Sequence, residues 1–438
     1  MKTVAVLGGG IGGLAASFYL CKNPQVAKVI VLESSSRFGG WLWSLRRSDG
    51  AVFELGPRGI RPAGAVGTNT LNMVEDLGLE EAILPVSYNH VASKNRYLYV
   101  NGQLHKLPSG ISGILKTVAP FSRPLLFSLL TEIFVKKGRE EDESIHSFVS
   151  RRLGKELADL AVDSVCRGVF AGDCKKLSVR SCFPWLYMAE QQRGSLTLGF
   201  LLGSGSAPEI VPGPLAQRAK REAWAQWSLK RGVETLPESI TEFLQQSGKV
   251  ELHRDAAVGQ IIPTTSGWKV HLEDGVISAD HLMAALPAKA LSCILPPSCQ
   301  GLVQQLQDIS TVTVAVASLE YEGSILPVTV MMGGAWFQNV FGAPQAVSAD
   351  SLLARATEAV RCHLGHCVAP SWSHVALHRD CIPQYHLGHF QRVDTMRAFI
   401  KNNNLLLSLI GSAYDGVSVN DVIFSGRRAV AELLGGGV

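Results

Sequence analysis

The chain has 438 residues, of which 46% are hydrophobic and 18% are charged. This length and composition are typical of a globular protein with two or three cores, and they exclude a disordered chain. The formal net charge is only +4, and the basic residues are dispersed without interleaved aromatic residues, so we expect no nucleic-acid partner.

Nine cysteines are scattered along the chain. An odd number without framework spacing indicates reduced thiols packed as small apolar groups. Two cysteines and two histidines cluster at residues 362–367. Because no second cluster lies at zinc-finger spacing, this pattern is typical of a partly exposed helix end rather than of a metal site. The sequence therefore predicts no metal.

The chain starts with a glycine-rich turn between a strand and a helix. Gly8, Gly10 and Gly13 occupy the G-x-G-x-x-G positions after the apolar run 4–7. In a dinucleotide site the first glycine permits the turn, the second lets a pyrophosphate approach the backbone, and the third lets the helix lie close to the strand. The N–H groups at the helix N-terminus then face the phosphates. A purely structural glycine turn is the alternative.

The position of this turn also bears on targeting. It lies so close to Met1 that we expect no cleavable leader ahead of the fold. No apolar stretch reaches the roughly 18 residues needed to span a bilayer. We therefore expect the chain to be soluble or to lie on a membrane surface.

The second predicted strand, residues 28–32, ends at Glu33. A carboxylate about 20 residues beyond the glycine turn accepts hydrogen bonds from ribose hydroxyls in dinucleotide sites. Arg37, the glycine pair 39–40 and Trp41 follow. This longer signature resembles FAD enzymes of the amine-oxidase type and is unusual in NAD-binding proteins.

Two loop features come next. Residues 52–59 predict a strand running into a Gly-Pro turn, where a backbone can approach a ligand closely, with an ordinary loop as the alternative. Residues 96–107 predict a hairpin around an Asn-Gly turn. Arg96, at its start, is a surface cation by itself. Beside a flavin pocket it becomes a candidate anchor for a substrate carboxylate.

Residues 110–134 are rich in Leu, Ile and Phe but are interrupted by Lys, Arg and Pro. They predict short amphipathic helices. Insertion into one leaflet of a membrane and burial of a helix pair inside a domain explain this pattern about equally well. Residues 110–205 as a whole predict an all-helical insertion, and residues 203–214, dense in Gly, Ser and Pro, predict a linker.

The rest of the chain predicts a return to the nucleotide domain through three strands between residues 250 and 272. Residues 295–390 alternate strand and helix and predict a sheet that covers the substrate. A buried strand at 405–411 precedes a last helix that opens at residues 415–421. Its N-terminus is a candidate to face the flavin, and a plain helix packed on the sheet is the alternative.

A more specific resemblance rests on the segments GGGIGGLAAS, ESSSRFGGW, FELGPRGIRPAG, RGVFAGD, QWSLKRGVETLP, CIPQYHLGH and AYDGVSVNDVIFSG. Together they make the chain similar, from residue 1 to about 430, to the protoporphyrinogen oxidase family in its animal mitochondrial form. The resemblance implies an α/β protein with a Rossmann-like, discontinuous FAD-binding domain, a mixed α+β substrate domain and an all-helical membrane-binding insertion. The implied FAD-binding parts are 1–90, 215–295 and 401–438, the insertion is 91–205, and the substrate domain is 296–400.

The resemblance also implies an activity. Enzymes of this family remove six hydrogens from the tetrapyrrole protoporphyrinogen IX in successive two-electron steps and pass the electrons to oxygen. The products are protoporphyrin IX and hydrogen peroxide. Family members are homodimers seated on one leaflet of the mitochondrial inner membrane, which favours the membrane interpretation of the helical insertion.

Several site residues follow from the resemblance. Arg96 matches an arginine that pairs with a substrate propionate, and Gly168 matches a glycine whose carbonyl faces the pyrrole N–H groups. No acid–base residue is indicated, because hydride transfer to a flavin depends chiefly on positioning. The residues implied to contact FAD are Gly8, Gly9, Gly10, Ile11, Gly12, Gly13, Glu33, Arg37, Gly40, Trp41, Gly56, Pro57, Arg58, Gly59, Val258, Ser412, Val417, Ser418 and Val419.

The chain departs from the family pattern at Val328–Thr329. In the family, a Gly-Phe-Gly-His-Leu type segment and a further strand separate the stretches that meet here, and they supply pocket wall. Removing an internal strand exposes apolar surface and ladder groups unless neighbours re-pair. Three hypotheses stay open: the oxidase, a non-catalytic FAD-binding or dimerising form, and an amine oxidase that shares the FAD signature.

Overall fold

A computed structural model describes residues 1–108, 110–203, 210–323 and 327–435 of the chain. Of the predicted linker 203–214, residues 204–209 lie outside the described residues. So does Leu326, which comes just before the predicted junction.

The first 108 residues form β1 (Lys2–Leu7), α1 (Ile11–Cys21), β2 (Val26–Leu32), β3 (Ser44–Arg46), β4 (Val52–Glu54), α2 (Gly64–Asp76), β5 (Ile83–Ser87), α3 (Val91–Lys94), β6 (Tyr97–Val100) and β7 (Gln103–Lys106). Residues 110–203 form α4 (Gly110–Leu115), α5 (Leu125–Glu132), α6 (Ile145–Leu153), α7 (Asp163–Phe170), α8 (Val179–Cys182), α9 (Pro184–Arg193) and α10 (Leu196–Leu202), with a π-helical segment at Leu157–Val162 between α6 and α7.

Residues 210–323 form α11 (Pro214–Arg221), β8 (Trp224–Leu229), α12 (Thr235–Gln246), β9 (Val250–His253), β10 (Val258–Pro263), β11 (Trp268–Leu272), β12 (Gly275–Ala279), β13 (His281–Ala284), α13 (Ala288–Ile294), α14 (Gln300–Gln307) and β14 (Thr311–Glu320). Residues 327–435 form β15 (Val328–Gly333), α15 (Phe337–Phe341), α16 (Ala349–Leu364), β16 (Trp372–Pro383), α17 (His389–Asn402), β17 (Leu407–Leu409) and α18 (Val419–Leu434). Single 3-10 turns lie at Glu80–Ala82, Pro297–Cys299 and Gly334–Trp336.

The chain divides into two compact units. The first comprises Met1–Tyr88, Ala207–Ile309 and Phe390–Val438. The second comprises Asn89–Ser206 and Ser310–His389. Each unit is therefore assembled from segments that are distant in the sequence.

The first unit contains a five-stranded parallel sheet in the order β17-β13-β1-β2-β9. Strand β1 lies at its centre, where Val4 is opposite Val29 of β2 and His281 of β13. Because helices cover parallel sheets on both faces, such strands are apolar throughout, and residues 4–7 are indeed fully buried. The first glycine turn therefore follows the central strand of a parallel sheet, as the dinucleotide-binding pattern requires.

Three further pairings complete the strands of this unit. Strands β10, β11 and β12 form an antiparallel sheet, β3 pairs with β4, and β5 pairs with β8. The strand β12 was missed in the sequence because its residues, GVISA, are small and only weakly alternating. The pairing of β5 with β8 joins residues more than 130 positions apart, which local patterns do not reveal.

Residues 296–309 and 390–400 belong to the first unit, although the sequence placed both in the substrate domain. Leu306 of α14 and Met396 of α17 are fully buried in the same core cluster as Leu282 of β13. Their apolar faces thus cover the parallel sheet, and this packing moves both stretches into the sheet's own unit.

The second unit contains an antiparallel sheet in the order β15-β14-β16. Strands β14 and β15 pair along six residues, from Leu319 opposite Val328 to Val314 opposite Gly333. The strand that follows the predicted junction at Val328 therefore has a neighbour for the ladder groups of one edge. The absence of a family segment at this junction stays a prediction.

The helices α4–α10 of the second unit are joined by buried charges. Glu132 of α5 accepts hydrogen bonds from Arg152 Nη1 at 2.8 Å, from the Leu196 N–H at 2.8 Å and from Ser195 Oγ at 2.6 Å. Arg152 also donates to Glu190 from Nε at 2.6 Å. Because the Arg152 and Glu132 side chains are completely buried, this network fixes α5, α6, α9 and α10 together. Among the described residues, no helix is long and apolar enough to cross a membrane.

Candidate functional site

The first glycine turn has the geometry that its sequence predicts. Gly8 has a φ of +98°, and a Cβ there would lie 2.7 Å from the Ala285 carbonyl oxygen. A Cβ on Gly13 would lie 1.9 Å from the Gly8 carbonyl oxygen. Gly8 therefore provides the tight turn after β1, and Gly13 provides the close contact of α1 with that turn.

The N-terminus of α1 suits a phosphate group. Its N-cap residue, Gly10, makes no side-chain capping bond, and the first turn contains no acidic residue. A Cβ on Gly10 would meet only Gly40 Cα, at 3.9 Å. The first N–H groups of this helix are therefore approachable and unopposed by negative charge, so these residues fit a pyrophosphate.

Glu33 lies at the carboxyl end of β2 and faces the same turn. Its Oε2 accepts a hydrogen bond from the Gly9 N–H at 2.7 Å. Its Oε1 accepts from the Ser35 N–H at 2.9 Å and from the Ser35 hydroxyl at 2.7 Å. A carboxylate has about four lone-pair positions, so Glu33 can still accept from a ribose while it holds the two loops together.

Arg37 points into its own loop. Its guanidinium donates to the carbonyls of Gly40 and Leu42 and forms an ion pair with Glu234 at 3.2 Å. These contacts close the segment that carries Gly40 and Trp41 around the cation. The structure thus gives Arg37 a role in shaping the glycine pair, and a direct contact with FAD stays a prediction.

A second set of bonds ties this loop to the segment before α12. Ser44 N–H donates to Glu234 Oε2 at 2.9 Å, and Ser44 Oγ donates to Glu54 Oε2 at 2.7 Å. Glu54 Oε1 accepts from the Val233 N–H at 2.8 Å. Burial raises the pKa of Glu54, and the bonds from Ser44 and Val233 oppose that shift. Sequence reasoning missed Glu54 and Glu234, because their partners are far away in the chain.

The Gly-Pro turn after β4 lies beside the same loop. A Cβ on Gly56 would lie 2.0 Å from the Trp41 carbonyl oxygen, so only glycine permits this approach. Arg58 is exposed to solvent, yet desolvation by the surrounding protein lowers the pKa of its guanidinium, as expected for a side chain in a cleft. Pro57 and Gly59 flank it in the turn.

Val258 is brought close to Glu33 by the backbone. The Glu33 N–H donates to the His253 carbonyl at 2.9 Å, and the Ala256 N–H donates to the Glu33 carbonyl at 2.8 Å. Val258 begins β10 two residues later. This arrangement places Val258 beside the acid that would bind the ribose.

The last helix packs directly on the first. A Cβ on Gly426 of α18 would lie 2.9 Å from the Ala16 nitrogen, and a Cβ on Gly12 of α1 would lie 3.0 Å from Val422 Cγ1. Ser418 is the N-cap of α18, where it forms a capping box with Asp421. The helix that carries Ser418 and Val419 is therefore fixed against the helix of the first glycine turn, although the two lie at opposite ends of the chain.

The two predicted substrate residues belong to the second unit. Arg96 is exposed just before β6, and Gly168 is exposed on α7 with open space around its Cβ position.

The histidines at 362–367 point to separate partners, since His363 stacks on Tyr99 and His366 contacts Tyr321. The two histidine side chains therefore do not converge on a common point.

Another group of possible metal ligands, Asp163, Asp173 and Cys174, lies in the second unit, with ligand atoms within 4.8 Å of one another. Burial raises the pKa of the Cys174 thiol to about 12. Cavities of about 440 Å³, beside Asn69 and Arg427, and about 300 Å³, beside Cys362, lie away from the glycine turns.

Comparison with known proteins agrees with this geometry. The family model of flavin containing amine oxidoreductases matches residues 11–328. The protoporphyrinogen oxidases of Bos taurus and Homo sapiens are each 44% identical to the chain over 471 aligned positions, which cover 99% of this chain and 98% of theirs. A solved structure of a protein from Exiguobacterium sp. 255-15 matches with a TM-score of 0.78 at 18% identity, covering 99% of this chain and 98% of that one. The last match shows the fold alone.

The chain therefore belongs to the flavin containing amine oxidoreductases, a class of FAD-dependent enzymes. Within that class it is a member of the protoporphyrinogen oxidase family, as the identity over nearly its whole length shows. The resemblance seen in the sequence is confirmed, and FAD is the cofactor. The alignment has 471 positions and the chain has 438 residues, so at least 33 positions have no counterpart here.

Proposed function

We propose that the chain oxidises protoporphyrinogen IX to protoporphyrin IX, with oxygen as the electron acceptor. The observation that carries this proposal is the 44% identity to two protoporphyrinogen oxidases over 99% of the chain, together with a glycine turn and helix N-terminus that fit a dinucleotide. When bound, FAD supplies the acceptor for a hydride from the tetrapyrrole. The chain's residues hold FAD, orient the substrate and exclude water.

The cofactor contacts are divided among the loops described above. Residues 8–13 and Gly40 would hold the pyrophosphate, Glu33 and Val258 would hold the adenosine portion, and residues 417–419 would face the flavin portion. Gly56, Pro57, Arg58 and Gly59 would complete the wall, as would Ser412. Hydrogen bonds link Gly9 to Glu33 and Ser44 to Glu54, so these loops hold one another in place.

Arg96 is proposed to bind a substrate propionate and Gly168 to accept from the pyrrole N–H groups. A guanidinium and a carboxylate form a charge-assisted contact that orients an otherwise apolar ring system. No proton-transfer residue is assigned, so positioning is proposed to carry the catalysis.

The helical insertion is proposed to seat the protein on one leaflet of the mitochondrial inner membrane, as a homodimer. Large apolar side chains of the insertion are exposed, among them Phe134 just after α5 at 87%, and Leu201 at 76% and Phe200 at 63% on α10. Trp185 of α9 lies beside Phe200 of α10, with ring centroids 5.2 Å apart. Exposed apolar side chains flanked by cations are typical of monotopic membrane attachment.

A second candidate is a non-catalytic FAD-binding or dimerising form. It is favoured by the alignment positions that have no counterpart here, and by the shortened connection between β14 and β15, since the family segment missing there supplies pocket wall. An amine oxidase, the remaining hypothesis, is disfavoured by the extent of identity to the tetrapyrrole oxidases.

Anaerobic mixing distinguishes these candidates. The FAD-loaded protein is mixed with protoporphyrinogen IX without oxygen, and the flavin absorption band is followed. Bleaching, followed by peroxide release when oxygen is admitted, is expected for the oxidase. A flavin that stays oxidised with the tetrapyrrole in saturating amount contradicts the oxidase and favours the non-catalytic form. Turnover of simple amines, measured as peroxide, would instead favour an amine oxidase.

A matched pair of variants tests the substrate contact. Arg96→Met should raise KM by on the order of tenfold to a hundredfold, because a hydrogen bond between charged groups contributes about 1.5–3 kcal/mol. Lys94→Met, two positions earlier and equally exposed, should leave KM unchanged. Equal KM values for both variants would remove Arg96 from the proposed site.

A further inference from the structure

The segment between β17 and α18, residues 410–418, carries several of the predicted flavin contacts. Only its first residue continues the strand pairing, since the Ile410 N–H donates to the Ala284 carbonyl of β13 at 3.0 Å and β17 ends at Leu409. Its two glycines have the positive φ values of +114° at Gly411 and +151° at Gly416. Such a segment needs side-chain bonds to keep one conformation, because extended strands and helices do not supply them here.

Both ends of the segment are tied to α18. The Gly411 N–H donates to Ser425 Oγ at 3.1 Å. At the other end, Ser418 Oγ donates to Asp421 Oδ2 at 2.6 Å, and a Cβ on Gly416 would lie 2.5 Å from Asp421. The middle of the segment is anchored in part by Ala413 and Tyr414, which are buried in a core cluster of the first unit, and it also has a charged attachment to two neighbouring helices.

Asp415 supplies that attachment. Its Oδ2 contacts both the Arg397 guanidinium of α17 and the Arg428 guanidinium of α18. The Asp415 side chain is 28% exposed, so these ion pairs are partly shielded from water. Burial acts to raise the pKa of Asp415, but the effect of Arg428 and Arg397 is larger, and the net pKa is lowered. The carboxylate is therefore charged and held between two helices.

We infer that Asp415, through its contacts with Arg397 and Arg428, is a positioning residue that sets the conformation of the flavin-facing segment 412–419. Asp415 acts through the backbone and is not itself assigned a contact with FAD. Two cations from two different helices fix the carboxylate in two directions, so the neighbouring backbone is fixed relative to both helices. The first N–H groups of α18, which have no intrahelical acceptors, are thereby held in one orientation toward the flavin portion.

The inference rests on the FAD site of the proposed function and not on its tetrapyrrole substrate. The family supplies the cofactor, whereas the role of Asp415 comes from the bonds of this segment alone. It is therefore testable in FAD-loaded protein to which no substrate is added.

The main variant is Asp415→Asn, which keeps the shape of the side chain but removes its charge. FAD binding is measured by quenching of flavin fluorescence, and the bound flavin by its visible circular dichroism and its midpoint potential. We expect FAD to bind on the order of tenfold more weakly, since each hydrogen bond between charged groups contributes at least one tenfold step in an equilibrium constant. We also expect the dichroism and the potential of the bound flavin to change.

Two further variants make the result specific. Asp415→Glu keeps the charge and should restore most of the binding and the wild-type spectrum. Asp76→Asn removes a carboxylate of the same unit that pairs with Lys22, where both side chains are about half exposed, and it should leave FAD binding and the spectrum unchanged. If Asp415→Asn does not fold, Arg397→Gln replaces it, because Arg428 still holds the carboxylate, and a smaller change of the same kind is expected.

The inference is overturned if the Asn variant binds FAD with wild-type affinity and spectrum. It is also overturned if binding weakens but the spectrum and potential of the bound flavin stay unchanged, because that outcome describes only a loss of stability. Failure of the proposed function gives a different result, in which these flavin measurements behave as expected and added protoporphyrinogen does not reduce the flavin.

Discussion

Substitutions at two glycines of the first turn, Gly10 and Gly13, allow the stability of the fold and the binding of its cofactor to be tested separately. A Cβ at Gly13 would lie 1.9 Å from the Gly8 carbonyl oxygen and 3.1 Å from Val6 Cγ1. Ordinary heavy-atom contacts are about 3.5 Å, so Gly13→Ala forces α1 more than about 1 Å away from β1. Overpacking of a close-packed core costs about 1–3 kcal/mol or more, and we expect the apoprotein to lose at least that much unfolding free energy.

Gly10→Ala should instead leave the stability of the apoprotein intact and weaken the binding of FAD. Gly10 has φ −69° and ψ 176°, a conformation open to any residue, and its Cβ would meet only Gly40 Cα at 3.9 Å. The apoprotein should keep its stability or gain about 0.4–1 kcal/mol, because alanine restricts the unfolded chain. The new methyl group, however, adds bulk at the N-cap of α1, the helix terminus assigned to the pyrophosphate. FAD binding should weaken on the order of a hundredfold, equivalent to about 2.7 kcal/mol.

Urea denaturation of the apoproteins and fluorescence titration with FAD measure the two effects separately. Gly275→Ala is the matched control, since a Cβ at this position of β12 meets nothing within 4 Å; it should leave FAD binding unchanged and, like Gly10→Ala, keep the stability or raise it by about 0.4–1 kcal/mol. Wild-type affinity for FAD in the Gly10 variant would refute the assignment of this helix N-terminus to the pyrophosphate. An unaltered apoprotein stability in the Gly13 variant would refute the packing argument.

Three further predictions concern charge and surface. Glu132→Gln should lower the stability of the helical network by about 3 kcal/mol, because Arg152 loses a buried partner. Faster hydrogen exchange in α5 and α10 would report it, whereas Glu141→Gln, whose carboxylate is 68% exposed, should have little effect. Burial lowers the pKa of His281 from 6.5 to about 4, so the unfolded chain binds a proton that the folded chain does not. Stability should therefore fall by about 3 kcal/mol as the pH drops from 6.5 to 4, and urea denaturation at several pH values that shows a flat profile would contradict this. Phe134→Glu should reduce sedimentation with anionic lipid vesicles, because Phe134 is 87% exposed, and unchanged sedimentation would count against the turn after α5 as part of the membrane face.

The sequence predicts best those parts of the site that depend only on residues close together in the chain. The roles of Gly8 and Gly13 follow from the backbone of a strand–turn–helix unit, and the distances of their Cβ positions agree with those roles. The capping box at Ser418 depends on residues three positions apart. Because both features need only short stretches of chain, their physical requirements are visible in the residue types.

Long-range partners explain what the sequence could not predict. The sequence predicts a cofactor contact for Arg37 but not the bond of its guanidinium to Glu234, 197 positions later. Glu54 holds the Val233 N–H across 179 positions. Nothing in the local pattern around either acid signals these bonds, because they arise only once β3, β4 and the start of α12 are packed together.

The resemblance to the family implies that pocket-wall positions are absent before Val328, and such a loss would affect the two units differently. All of the residues proposed to hold FAD belong to the first unit, whereas Val328 and the β14–β15 pairing belong to the second. Six paired residues satisfy one edge of β15, so the described sheet is paired without the positions proposed to be absent. A loss of pocket wall would act on the substrate and leave the cofactor loops bonded as described. For this reason FAD binding and substrate-driven bleaching are separate measurements, and a chain that binds FAD tightly but is not reduced by protoporphyrinogen would locate the defect in the second unit.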